Sequence, residues 1–269
     1  MSQIYTFDEV RKASDKEVLN PIEKFRLLSS STLKLIAIIS MLIDHIGAAV
    51  LENIMYFNYY SLSVGAYNKL VYIDNIMRSV GRIAFPIFCF LLVEGFFKTR
   101  NVKKYMRNLL IFSIVSEVPF DLAFSRTLVS WNHQNVFFTL LIGIAALAIL
   151  NWVLTMYKNQ KINLIIYSIL SVGAVIASMA LAYYMKTDYN AIGVAIIIIL
   201  YAFRKNRYVQ SIVGAASFAW EMPAPFAFIP IILYNGKRGL NLKYFFYAFY
   251  PLHLLILYVI TNHFIIAWK

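Results

Sequence analysis

Long apolar runs separated by short polar breaks dominate the chain, near 33–51, 81–97, 106–124, 136–157, 163–184, 191–203, 209–219, 226–234 and 243–266. Several approach the roughly 20 residues that cross about 30 Å of hydrocarbon at about 1.5 Å per residue. The pattern predicts an all-α polytopic membrane protein of about nine helices (eight to ten) in a single bundle. The short runs 209–219 and 226–234 also fit one re-entrant pair. Ahead of the first run, residues 1–30 form a polar segment in which Asn20-Pro21 ends any helix beginning near Phe7. Its charges, mixed with Ile4, Phe7 and Val10, suit either a piece lying on the membrane or a solvated tail. Because the first run begins near Leu33 and is longer than a signal h-region, the tail is expected to be retained. The chain therefore divides into 1–30 and a transmembrane unit, 31–269.

Composition strengthens this reading. The chain is 61% hydrophobic and 14% charged, with mean hydropathy +0.66, which leaves too little polar residue to cover a soluble domain. The formal charge of +12 would suit nucleic acid only if the basic residues were gathered on one patch. Instead 19 of the 25 Lys and Arg fall in alternate breaks, within 1–34, 98–107, 158–161, 204–207 and 237–243. The opposite breaks hold Lys69, Arg78, Arg126, Lys186 and Lys269, and Arg82 lies in a run. That asymmetry predicts a cytoplasmic N-terminus and argues against a nucleic-acid partner. Cys89 is the only cysteine, so no intrachain disulfide is possible and a buried thiol is expected.

The polar groups inside the runs carry the chemistry. Asp44 and His45 interrupt IISMLIDHIGAA, where an ionised group costs roughly 2.5–3.5 kcal/mol even on the lenient insertion scale. Successive residues on a helix are rotated by about 100°, so the two can face different neighbours. Arg82, Glu117, Asp121 and Asn135 are expected in the same outer half of the membrane and could surround one polar cavity. Glu117 and Asp121 share a face at i, i+4 around Pro119, and either could pair with Arg82. His133 and Asp188 read as ordinary loop residues. His253 follows Pro251 in YPLHLLIL, and the turn YNGKRG presents Lys237 and Arg238 on the cytoplasmic side. There is no Walker loop, GxGxxG, CxxC or HExxH, and no metal is expected.

Six blocks in order, LKLIAIISMLIDHIG, GRIAFPIFCFLLVEGFFKT, SEVPFDLAF, NVFFTLLIG, DYNAIGV and YNGKRG with FYPLHLLIL, together resemble the TraX family across residues 33 to about 257. These are membrane proteins named for the enzyme thought to acetylate the N-terminus of conjugative pilin. Asn190 departs from the glycine expected after Asp-Tyr. The family is similar to a wider superfamily of transmembrane acyltransferases in which a histidine on the first membrane helix serves acyl transfer from acyl-CoA, and His45 occupies that place. The resemblance implies acetyl-CoA as co-substrate and an acceptor at the outer face: a protein N-terminus, a glycan or a small amine.

On that reading His45 is the base and Asp44 orients the imidazole or stabilises its charged form. Arg82, with Glu117, Asp121 and Asn135, meets the substrate. Lys237 and Arg238 hold the CoA phosphates, and His253 lines the thioester path. A homo-oligomer is compatible with the sequence. Two alternatives stand beside the enzyme. A proton-coupled transporter would use the same intramembrane acids and histidines as a relay, although no convincing inverted repeat is present. A non-enzymatic assembly component of a conjugation or secretion apparatus would use them for packing alone.

Overall fold

A computed structural model describes residues 26–241 and 243–267. Most of the 1–30 segment, with its amphipathic or solvated character, lies outside the described residues. Helix α1 (Ser30–Phe57) is capped by Ser29, whose hydroxyl accepts from the Thr32 amide at 3.2 Å, and it widens into a π turn at Gly47–Leu51. Next come α2 (Val64–Gly81) and α3 (Ala84–Lys98), joined by only two residues. Then α4 (Val102–Phe120) ends in a second π turn, Asp121–Ser125, two residues after Pro119. Helices α5 (Val136–Lys158), α6 (Leu164–Tyr184) and α7 (Asn190–Ala202) follow. The chain closes with α8 (Arg207–Ser217), a 3-10 turn (Ala224–Ala227), α9 (Phe228–Ile232) and α10 (Lys243–Ala267). Among the described residues there are no strands beyond two isolated bridges.

The protein is an all-α polytopic bundle. Six stretches are long and apolar enough to cross a membrane, with α7 a shorter apolar helix. Two features differ from the sequence reading. First, α1 has 28 residues, about 42 Å at 1.5 Å per residue, so it outruns a hydrocarbon layer of about 30 Å. The chain then returns through α2, which the sequence reading left outside any helix. Second, α8 has only 11 residues, about 16 Å. With the 3-10 turn and α9 it forms a short excursion, which departs from two separate crossings but not from the re-entrant alternative for 209–219 and 226–234, and its tip holds Glu221.

Helix α3 lies at the centre, with Ile87, Cys89, Phe90, Val93 and Phe96 buried against α1, α5, α7 and the 224–232 segment. The expectation for Cys89 is met. Helix α6 buries only Ser178 and Ala182 and turns the rest of its surface outward, as a peripheral lipid-facing helix does. Two glycines let α1 and α2 approach closely. A Cβ on Gly81 would stand 2.2 Å from the Asp44 Cβ, and one on Gly47 would stand 2.6 Å from Asp74 Oδ1. The Asn190 departure has a physical resolution: its φ is 51°, a left-handed conformation that suits glycine and that asparagine tolerates.

Candidate functional site

The end of the bundle opposite the basic loops 98–102, 158–164, 204–206 and 235–241 contains a cavity of about 510 Å³. Helix α1 supplies Asp44, His45 and Glu52 to its wall, and α2 adds Arg78, with Arg82 just beyond. Phe124 and Ser125 come from the π turn after α4, and His133, Asp188 and Tyr189 from loops above it. The two π turns pack against each other and both border the cavity. Such turns rotate the following side chains off the regular helical face, and they recur at functional sites.

Asp44 and His45 face different helices, as the rotation of about 100° requires. Asp44 turns to α2, where its Oδ2 accepts from Arg78 at 2.6 Å; Arg78 Nε lies 3.5 Å from Glu52. His45 turns to α10, where its Nδ1 is 2.7 Å from His253 Nε2. The imidazoles are nearly coplanar, at 9°. His253 Nδ1 is in turn 2.7 Å from the Phe249 carbonyl oxygen. The edges of Phe124 and Tyr250 pack on His45 at ring separations of 5.3 and 5.9 Å. The group orienting the imidazole is thus His253 rather than Asp44, whose carboxylate is engaged by Arg78. His253, read from sequence as lining a thioester path, stands directly on the candidate base.

Further corrections concern the expected substrate contacts. Arg82 pairs with Glu221 at 2.9 Å, not with Glu117 or Asp121, because the tip of the α8–α9 excursion reaches it first. Glu117 accepts from the Asn135 side chain and, at 3.3 Å, from its backbone amide. Asn135 also donates to Ser113 O at 2.8 Å and caps α5. Asp121 is buried and accepts from the Ser130 amide at 2.7 Å. Glu117, Asp121 and Asn135 do not line the cavity. They fasten the 126–135 loop over it, since buried polar groups must find partners.

That loop also pairs with the next one. Gln134 N donates to Lys186 O at 3.0 Å, and Asp188 N donates to Gln134 O at 2.9 Å. His133 Nε2 lies 3.6 Å from Asp188 Oδ1, and the adjacent carboxylate raises the imidazole above its ordinary value of 6.5 despite partial burial. Tyr189 stands at φ 60°, strained for a bulky residue, and stacks on Phe85 with ring centres 3.6 Å apart.

At the basic end, YNGKRG straps onto the start of α1. Ser30 N donates to Lys237 O at 2.8 Å and Ser31 N to Arg238 O at 3.1 Å, leaving the Lys237 and Arg238 side chains exposed. Lys98 locks the strap, donating to Tyr234 Oη at 2.8 Å and Gly236 O at 2.7 Å, and it pairs with buried Glu94 at 3.1 Å. From Ser30 to His45 is 15 residues of one helix, about 22 Å along its axis. The strap and the histidine pair therefore belong to opposite ends of one rod.

Sequence reasoning missed Arg78, Glu52, Glu221 and Tyr189. A signal existed for the first: Asp74, Arg78 and Arg82 recur at i, i+4, i+8, which marks a helix with one charged stripe. Nothing local marks Glu221, which meets Arg82 only through tertiary folding. Among the described residues no group of three or more His, Cys, Asp or Glu is arranged to hold a metal ion.

Comparison with known proteins adds the family. The sequence model described as TraX protein matches residues 29–261, from the N-cap of α1 into α10. The chain is 31% identical over 248 residues to the "Probable fimbrial assembly protein FimC, serogroup H1" of Dichelobacter nodosus, which covers 85% of this chain and 94% of that one. No solved structure matches. With the matched span covering most of the chain and every residue of the cavity wall, this chain belongs to the TraX family.

Proposed function

We propose that this protein is an integral-membrane acyltransferase that moves an acetyl group from acetyl-CoA to a nucleophile at the opposite membrane face, with His45 as general base. The observation carrying this reading is the His45 imidazole, held at 2.7 Å by His253 on the wall of a cavity of about 510 Å³. A bare packing role would not call for an oriented imidazole at the edge of a polar cavity. The basic loops lie on the cytoplasmic side, following the positive-inside asymmetry, in a bacterial inner membrane. Lys237 and Arg238 bind the donor's phosphates there, and the thioester arm spans the distance toward His45.

The acceptor enters the cavity from the other face. Its N–H or O–H loses a proton to His45 as the nucleophile attacks the acetyl carbonyl. The C–S bond then breaks, and the thiolate takes the proton back from His45 to leave as CoA thiol. Guanidinium N–H groups of Arg78 and Arg82 on the cavity wall supply the donors for the oxyanion that develops between these steps. The curated relative is named for fimbrial assembly, which favours the N-terminus of a surface-fibre protein as acceptor.

That name also keeps the assembly-component reading in play beside the proton-coupled transporter, and His45→Ala separates all three. In cells producing the folded variant, the enzyme reading expects fibre protein that is made and exported but lacks acetyl on its N-terminus. Loss of fibres with acetylation intact on the residual subunits supports an assembly role. Loss of proton-linked uptake supports transport.

A further inference from the structure

We infer that His253 is the positioning half of a two-imidazole base: it fixes the tautomer of His45, so that Nε2 of His45 is the basic atom presented to the cavity. The inference rests on the acyl-transfer reading for its chemistry and on the hydrogen-bond geometry alone for its tautomer.

The argument starts at the Phe249 carbonyl, which only accepts. His253 Nδ1, at 2.7 Å from it, must carry a proton. In a neutral imidazole the other nitrogen is then a bare acceptor, so His253 Nε2 has only a lone pair to offer. His45 Nδ1 lies 2.7 Å from that lone pair and must donate to it. One proton therefore sits on each Nδ1, and His45 Nε2 is left unprotonated beside the cavity that His45 lines.

The packing preserves this order. Phe249 stacks on His253 at 4.8 Å and 19°, while Phe124 and Tyr250 press their edges on His45 at 78° and 71°, so neither ring is free to flip. The acid next in sequence, Asp44, is committed to Arg78. An imidazole in the orienting position suits the membrane, because a neutral His–His pair is far cheaper to bury than an imidazolium–carboxylate pair.

The consequence for the reaction is a shared charge. When His45 Nε2 accepts the nucleophile's proton, its Nδ1–H bond to His253 becomes charge-assisted and strengthens. Transfer of that Nδ1 proton to His253 Nε2 would leave His253 doubly protonated, its Nδ1–H still on the Phe249 carbonyl. Either arrangement spreads one positive charge over two rings. When the thiolate takes the proton back, both rings return to their starting tautomers.

The test uses the full chain in lipid nanodiscs, labelled with ¹⁵N-histidine, with signals assigned by His45→Gln, His133→Gln and His263→Gln. The wild type is expected to show His45 protonated at Nδ1 and bare at Nε2. In His253→Phe, which keeps a ring but loses the acceptor, the Nε2–H form of His45 should appear. In His253→Gln, whose Oε1 can replace Nε2 as acceptor, the wild-type tautomer should persist. Acetyl transfer should follow the same order: a fall in kcat of about 10²-fold or more for Phe, with KM for acetyl-CoA unchanged, and recovery to within about 10-fold for Gln.

A merely structural role would favour Phe over Gln in an apolar setting and would move folded yield rather than kcat. Wild-type His45 protonated at Nε2, or equal activity in the Phe and Gln variants, overturns the inference. The expected tautomers without any acetyl transfer support the positioning role and overturn the acyl-transfer reading instead.

Discussion

Gly81→Ala tests the packing that sets Asp44. The added Cβ would lie 2.2 Å from both Cβ and Oδ1 of Asp44, far inside van der Waals contact. Asp44 Cβ is rooted on the α1 backbone and has no rotamer by which to retreat, so α1 and α2 must separate or Asp44 must leave Arg78. Overpacking of this kind costs about 1–3 kcal/mol, and the overlap argues for the upper end. Alanine's better helix propensity returns up to about 1 kcal/mol, giving a net loss of about 2 kcal/mol. Gly65→Ala, in the first turn of the same helix, has nothing within 4 Å of the new Cβ. It should be neutral or stabilise by up to about 1 kcal/mol. Tryptophan-fluorescence unfolding in detergent measures both, and a Gly81→Ala protein as stable as Gly65→Ala would refute the close approach of the two helices at Asp44.

Other perturbations give equally definite outcomes. Asp44→Asn keeps the side-chain shape but removes the charge facing Arg78 at 2.6 Å. Since both partners retain some exposure, it should lower unfolding stability by about 2 kcal/mol, below the 3–5 kcal/mol of a fully buried pair; an unchanged transition would contradict the ion pair. For Arg82 and Glu221, 2.9 Å apart, the single reversals Arg82→Glu and Glu221→Arg should each destabilise, and the double reversal should recover a coupling energy of about 1–3 kcal/mol. Purely additive effects would mean the contact does not form. His133 is raised above 6.5 by the neighbouring Asp188 carboxylate, so the folded state prefers the protonated ring. The loop's stabilisation is complete below 6.5 and is lost as pH rises through the folded value. Protease protection of residues 126–135 should decline across that window and flatten in His133→Gln, whereas a flat wild-type profile would rule the pairing out.

The sequence made the bundle legible because a bilayer imposes a length on every apolar run and the loops carry a sign. It hid α2, since a helix that continues past the membrane is read by charge rather than by hydropathy, and Lys69, Asp74 and Arg78 broke the apolar pattern. It left the short runs at 209–219 and 226–234 open between two crossings and one re-entrant pair, because their hydrophobicity reports burial against α3 and α7. In the site, His45 was legible as an ionisable residue in an apolar run. Its partner was not, because 208 residues separate His45 from His253 and only the docking of α10 brings them together. Glu117, Asp121 and Asn135 looked like substrate ligands because depth was the only coordinate available. Direction around the helix axis turned them toward one another and toward the 126–135 loop.

The central claim, that His45 serves acyl transfer, is tested most directly with radiolabelled acetyl-CoA and the purified protein in nanodiscs, comparing wild type with a folded His45→Ala variant. The account predicts saturable acetyl-CoA binding by both proteins and release of CoA thiol by the wild type alone when an acceptor is supplied. Equal CoA release by the two proteins, or no binding by correctly folded wild type, would contradict it.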